Sequence, residues 1–227
     1  AMCSSHSRAV GIGGDATVGT LQQRKAGDAR AFRASGDFDA LTMDLALSAF
    51  GEKKLGRGPA TDVLAISLSA TDYVGHTYGT AGAETCIQIA ALDATLGRMF
   101  TALDKSKVPY VVMLTADHGG HDLPERNAIQ GLPAAERADI KLMPQGVGPV
   151  LAKAFDLPEP AIMGDAPFGD MYLSTKIPAA KRSVVLDAAL KHYRTHPQVE
   201  VVFTKDEIAV TPSPSGPPED WSLIQRV

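Results

Sequence analysis

Apolar and polar positions follow two different rhythms along this chain. From Leu41 to Phe50 the apolar residues recur at the spacing of one helix face, and Gly51 follows as a stop. Asp62-Val63-Leu64-Ala65-Ile66-Ser67-Leu68 is instead a short, almost wholly apolar run. Such a run predicts a strand buried on both faces, as in a parallel sheet. Ile89, Leu92, Leu96, Met99 and Leu103 return to 3-4-3-4 spacing, which predicts a long helix over 82–104 with one buried stripe. Val108 to Thr115 is a second apolar run and a second predicted buried strand. Strand, helix and strand in this order make a βαβ unit with a right-handed crossover.

The flanks are less regular. Val10-Gly11-Ile12 predicts a short strand ahead of a glycine-rich stretch that runs to Gly19, while 21–38 is polar and ambiguous. Residues 119–150 mix Gly, Pro and charge, which predicts loop and short helix. The pattern restarts with a predicted strand at Asp170–Leu173, a helix at Ala179–Tyr193 and a strand at Val199–Phe203. A proline-rich loop, Thr211 to Pro218, follows. The expected fold class is therefore α/β: a mainly parallel sheet flanked by helices, with a small C-terminal βαβ-like subdomain. The expected division is 1–155 for the core and 156–227 for the subdomain and terminal loop.

Composition narrows the class. Of 227 residues, 44% are apolar and 21% charged, as in an ordinary globular protein. This excludes a disordered chain, a collagen-like repeat and a disulfide-stapled miniprotein. The 22 basic and 26 acidic side chains leave a net charge of −4, without the basic excess of a nucleic-acid binder. No apolar run nears the roughly 18 residues of a membrane span. The first residues lack the apolar stretch of a signal peptide. Cys3 and Cys86 are too few for a disulfide framework and have no zinc spacing, so Cys86 is expected to be a small buried residue of the long helix.

Candidate chemistry gathers at the ends of the two apolar runs. After the first comes Thr71-Asp72-Tyr73-Val74-Gly75-His76-Thr77-Tyr78-Gly79. Asp72 and His76 are four apart, so one helical turn puts both on one face. After the second comes Leu114-Thr115-Ala116-Asp117-His118-Gly119-Gly120-His121-Asp122. There the glycine pair breaks the strand, which lets Asp117 and His118 turn to one side. The ends of strands in α/β sheets are where ligands bind. Carboxylate oxygen with imidazole nitrogen suits zinc or a similar ion. Each pair alone is more often a helix cap or a surface pair than a metal site, and His121 is more often a loop histidine than a ligand-orienting group or a substitute ligand. Thr17 and Thr20 are loop hydroxyls by composition, and Gly11-Ile12-Gly13-Gly14 lacks the Lys-Ser/Thr of a phosphate loop. His192 and His196, one turn apart near a helix end, read as surface residues.

These segments resemble the alkaline phosphatase superfamily. Asp-Tyr-Val-Gly-His-x-Tyr-Gly, the following Leu92-Asp93 and Leu-Thr-Ala-Asp-His-Gly-Gly carry the likeness, flanked by Thr61 to Ser67 and Asp122-Leu123-Pro124-Glu125-Arg126. Within it the chain is most similar to bacterial alkaline phosphatases of the type I phosphodiesterase/nucleotide pyrophosphatase group. The likeness is specific over 37–130 and looser from 131 to 225. Cofactor-independent phosphoglycerate mutases share Val-Gly-His and Ala-Asp-His-Gly, with a poorer fit around Tyr78-Gly79 and Asp122. The resemblance implies a zinc-dependent phosphoric ester hydrolase with two zinc ions. Asp72 and His76 would be ligands of one, Asp117 and His118 of the other. A small phosphate ester is the implied substrate and the periplasm or the exterior the implied location. The family's nucleophile, a further aspartate, a Lys-x-Arg and a last histidine have no counterpart here. The catalytic nucleophile is thus unassigned, the expected zinc occupancy is partial or nil, and the chain reads as the middle of a larger enzyme or a shortened paralogue. A non-catalytic remnant is the alternative. Uncovered sheet edges would favour self-association. No nucleic-acid or membrane partner is expected.

Overall fold

The computed structural model describes residue 3 and residues 9–21, 24–164 and 170–226. The chain divides into two compact units, Ala1–Glu136 and Arg137–Val227. The sequence places this division after residue 155.

The first unit opens with a hairpin. β1 (Val10–Gly11) pairs antiparallel with β2 (Thr17–Val18) around a turn that includes Gly13 and Gly14. Both glycines have positive φ, which a side chain would resist. Helices α1 (Ala29–Arg33), α2 (Gly36–Glu52), α3 (Ala70–Tyr78), α4 (Ala83–Ser106) and α5 (Pro124–Ile129) follow. The helices predicted over 41–50 and 82–104 are both present, the first longer at both ends. α2, α3 and α4 pack on one another. At Gly36 an added Cβ would lie 2.5 Å from Ala91 Cβ, so this contact of α2 with α4 requires glycine. The buried positions of α4 are Gln88, Thr95 and Met99, with Ala83 at its start. The predicted stripe is thus rotated: Ile89 is 50% exposed, and Gln88 takes the inward place beside it.

The two apolar runs correct the sequence reading. Residues 62–68 and 108–115 take part in no strand ladder among the described residues. Their side chains meet solvent: Val63 is 86% exposed, Val111 91% and Met113 92%. An apolar run demands burial on both faces, but it does not name the partner strands. The described residues supply none. All observed pairing is antiparallel, in two two-stranded ribbons.

The second unit has a coherent apolar core. α6 (Pro144–Ala154), β3 (Ile162–Met163), β4 (Tyr172–Leu173) and α7 (Ala179–Arg194) surround it, and α8 (Lys205–Ala209) follows. Val147 and Leu151 of α6 meet Ile162 of β3 and Val185, Ala189 and Tyr193 of α7. The Tyr193 hydroxyl donates to the Leu142 carbonyl at 3.2 Å, so its one polar atom is satisfied. The predicted strand at 170–173 and helix at 179–193 are present. Val199–Phe203 forms no strand among the described residues. The ribbon partner of β4 is β3, antiparallel, so this is a hairpin-plus-helix unit rather than βαβ. A Thr204–Glu207 capping box starts α8.

Two side-chain readings also change. Cys3 and Cys86 form a disulfide across 83 positions, which the wide spacing gave no reason to expect. His196 is not a surface residue: its side chain is 15% exposed and its Nε2 lies 3.5 Å from Asp139 Oδ2. His192 is half-buried, with its ring nitrogen 3.1 Å from the Lys141 carbonyl.

Candidate metal centre

α3 puts Asp72 and His76 on one face, as the four-residue spacing requires. Its inward face is Ala70 and Val74, 0% and 2% exposed, so the two polar residues are left to the open side. His76 Nε2 lies 3.4 Å from Asp72 Oδ1. The segment after Leu114 delivers the second pair to the same place. His118 Nε2 lies 3.6 Å from Asp72 Oδ1 and 3.6 Å from Asp117 Oδ2. Asp72 Oδ1 therefore stands between the Nε2 atoms of two imidazoles, and the four sequence-predicted residues form one cluster. Their side chains are 41% to 89% exposed, so the cluster is open to solvent.

Local bonds orient the second pair. His118 Nδ1 lies 2.6 Å from the Gly119 carbonyl. With Nδ1 as donor, Nε2 carries the lone pair, the tautomer that an imidazole ligand uses. The Asp117 Oδ1 atom accepts the His118 amide at 3.1 Å and leaves Oδ2 on the imidazole side. The Gly119 bond, then the Asp117 and Asp72 carboxylates, raise the His118 pKa above its ordinary value. His121 is exposed, as are Thr17 in β2 and Thr20 beyond it.

The donor chemistry fits a divalent ion of the zinc type, and ion-pair distances link the four side chains in the order His76, Asp72, His118, Asp117. They do not yet enclose a common point. Among the described residues no three His, Cys, Asp or Glu side chains are disposed to hold one ion together.

Sequence reasoning missed the groups beneath the cluster. Asp39 of α2 is 1% exposed, and its Oδ1 accepts the Ala70 amide at 3.0 Å, capping α3 from a neighbouring helix. Ser69, the N-cap itself, makes no side-chain cap bond. Gln88 Nε2 donates to Asp39 Oδ2 at 2.8 Å. Burial raises the Asp39 pKa, and the bonds from Ala70 and Gln88 oppose that rise. At the other end of α3, Arg126 and Asp122 form a buried pair. Asp39 lies ahead of the helix predicted over 41–50, and nothing in the pattern says that it caps another helix.

Comparison with known proteins places this geometry in a class. The type I phosphodiesterase/nucleotide pyrophosphatase model matches residues 8–211, and the chain belongs to that family. Its relatives include bacterial alkaline phosphatases. The chain is 51% identical to alkaline phosphatase PhoK of a Sphingomonas species over 94% of its own length and 38% of the relative's. It is 43% identical to alkaline phosphatase PhoD of Zymomonas mobilis over 99% of its length and 40% of the relative's. The crystal structure of wild-type alkaline phosphatase PafA superposes with a TM-score of 0.67 at 26% identity, covering 81% of this chain and 35% of that one. The fold is thus the alkaline phosphatase-like α/β fold. The chain spans about two fifths of the length of the curated relatives it matches.

Proposed function

We propose that this chain supplies part of the metal centre of a zinc-dependent phosphoric ester hydrolase acting on small phosphate esters. Asp72 and His76 would hold one zinc ion, Asp117 and His118 the other. The observation that carries this reading is the convergence of both pairs on Asp72 Oδ1, with His118 Nε2 left free by the Nδ1 bond to Gly119. When bound, zinc supplies Lewis-acid stabilisation of phosphoryl charge and activates an oxygen nucleophile. The residues of this chain orient the donors: the Asp72 carboxylate bridges the two imidazoles, and the Gly119 carbonyl fixes the ring of His118. Alkaline phosphatase as the name of PhoK and PhoD, the relatives that match nearly the whole chain, favours this reading over the mutase resemblance.

The same geometry favours weak metal retention by the chain alone, since the described residues offer no three-donor set. Without a nucleophile assigned, the expected turnover of p-nitrophenyl phosphate with added zinc near pH 8 to 9 is no greater than background. A robust rate that disappears in Asp117→Ala would overturn that expectation and make Thr17 and Thr20 the first hydroxyls to test. The Cys3–Cys86 disulfide supports a periplasmic or secreted location, because such bonds persist in oxidising compartments. Among the described residues no helix is long and apolar enough to cross a membrane. The exposed apolar side chains at 63–64 and 110–114 support self-association, which sedimentation over a concentration series would detect.

A further inference from the structure

We propose that Asp122 is a positioning residue that sets the spacing between the Asp72/His76 pair and the Asp117/His118 pair, with Arg126 holding it in place. The proposal rests on the reading of these four residues as a metal centre. Asp122 lies four residues after His118, and Tyr78, the last residue of α3, lies two after His76. The chain between His118 and Asp122 is Gly119-Gly120-His121, which has little stiffness of its own. The connection that fixes it to α3 is polar. Asp122 Oδ1 accepts the Thr80 amide at 2.9 Å and the Ala81 amide at 3.2 Å. It also accepts Arg126 Nη1, while Arg126 Nη2 donates to the Tyr78 carbonyl at 3.2 Å. One carboxylate and one guanidinium thus tie the end of the first ligand segment to the end of the second.

The site is built tightly around this tie. Asp122 and Arg126 side chains are 7% and 2% exposed. Gly79 has a φ of +80°, and an added Cβ there would collide with Asp122 Oδ1, Arg126 Nη1 and Leu123 Cγ. As a source of stability the pair is poor. Asp122 Oδ2 and Arg126 Nε are buried without a hydrogen-bond partner. A buried ion pair with unsatisfied atoms is often matched or surpassed by an apolar replacement. What an apolar pair could not do is grip two successive amides and a helix-terminal carbonyl. The arrangement is accounted for by position: it holds His118 beside Asp72.

The test uses the full chain with Asp122→Ala and Asp122→Asn. Asparagine keeps an acceptor for Thr80 and Ala81 and so serves as the conservative rescue. Two readouts are taken. Zinc affinity is measured by competition with a chromophoric chelator. Separately, in the metal-free protein at pH 8, the histidine ring signals are recorded by NMR with and without Asp72→Asn. Folding is checked by a cooperative denaturation transition. Expected for Asp122→Ala is at least a tenfold loss of zinc affinity, with the His118 ring signals no longer responding to Asp72→Asn. Asp122→Asn should return affinity to within about threefold of the parent. Unchanged affinity and an unchanged ring response in a folded Asp122→Ala chain would overturn the proposal. Should the parent bind no zinc in a His118-dependent way, the metal reading fails, while loss of the ring response in Asp122→Ala would still uphold the positioning role and its persistence would overturn it. If Asp122→Ala does not fold, Arg126→Lys serves with the same readouts. It keeps the charge and loses the fork to Tyr78.

Discussion

The two units bury different kinds of side chain. In the second, Val147, Leu151, Ile162, Val185, Ala189 and Tyr193 lie in one continuous core, and Ser174 is its buried polar residue. In the first, Asp39, Gln88, Thr95 and Arg126 are buried beside small or scattered apolar residues such as Ala70, Val74, Met43 and Ala83. Meanwhile Val63, Val111, Met113 and Leu114 of that unit face solvent. The second unit is thus held by packing. Among its described residues the first has only a small apolar cluster of Val10, Val18 and Leu123 and is held as well by directed bonds: an aspartate capping a foreign helix, an ion pair gripping a loop, and a disulfide. Directed bonds fix distances and angles that apolar contact leaves loose, and the candidate metal centre lies in the unit that uses them.

Arg126→Ala offers the largest test of this contrast. Removing one partner of a buried pair leaves Asp122 charged and unpaired, a loss of about 3–5 kcal/mol. Hydrogen exchange should lose protection in α2, α3 and α4 and keep it in α6 and α7. Equal loss in both units would erase the distinction. Opening the disulfide comes next. A loop of 83 positions implies a contribution of about 4.5 kcal/mol by chain entropy, of which strain and residual structure commonly remove part. Reductant, or Cys86→Ser, should lower the unfolding midpoint of the first unit alone. Val185→Ala reverses the pattern. Val185 is 0% exposed in the second core, and the truncation should cost about 2 kcal/mol there without weakening zinc binding.

The elements that carry the site were legible as periodicity. Ile89 to Leu103 announced α4, and the Asp72–His76 spacing announced a shared helix face. The two apolar runs pointed to the segments whose Asp/His pairs lie together, yet they misled about burial, because hydrophobicity states a need and not its fulfilment. Asp39 and Gln88 gave no signal at all. A polar residue inside an amphipathic helix looks solvated until a neighbouring element turns it inward. The Asp122–Arg126 segment was visible as part of the family likeness, but its grip on Thr80, Ala81 and Tyr78 depends on a loop conformation no pattern encodes. Cys3 and Cys86 likewise had nothing in their spacing to pair them.

The smallest effects concern pH, and the units should differ in sign. Burial raises the Asp39 pKa above its unfolded value. Its contribution favours folding at low pH and is lost as pH rises from about 4 through the raised value. Asp139 of the second unit behaves oppositely: the Lys141 amide bond, then Lys141 and His196 charge, hold its carboxyl low. Its stabilisation is present above about pH 4 and is lost as pH falls further. Asp39→Asn should flatten a falling slope in the first unit, and Asp139→Asn a rising one in the second. The check is chemical denaturation between pH 3 and 6, read separately for each unit.

Zinc binding at equilibrium tests the central claim most directly. The full chain, dialysed against zinc buffered by a weak chelator near pH 8, should retain well under two ions per chain. That binding should fall at least tenfold in each of Asp72→Ala, His76→Ala, Asp117→Ala and His118→Ala, and should be unchanged in His192→Ala. Binding that is indifferent to all four substitutions, or lost equally in His192→Ala, would contradict the assignment of the metal centre to the cluster around Asp72.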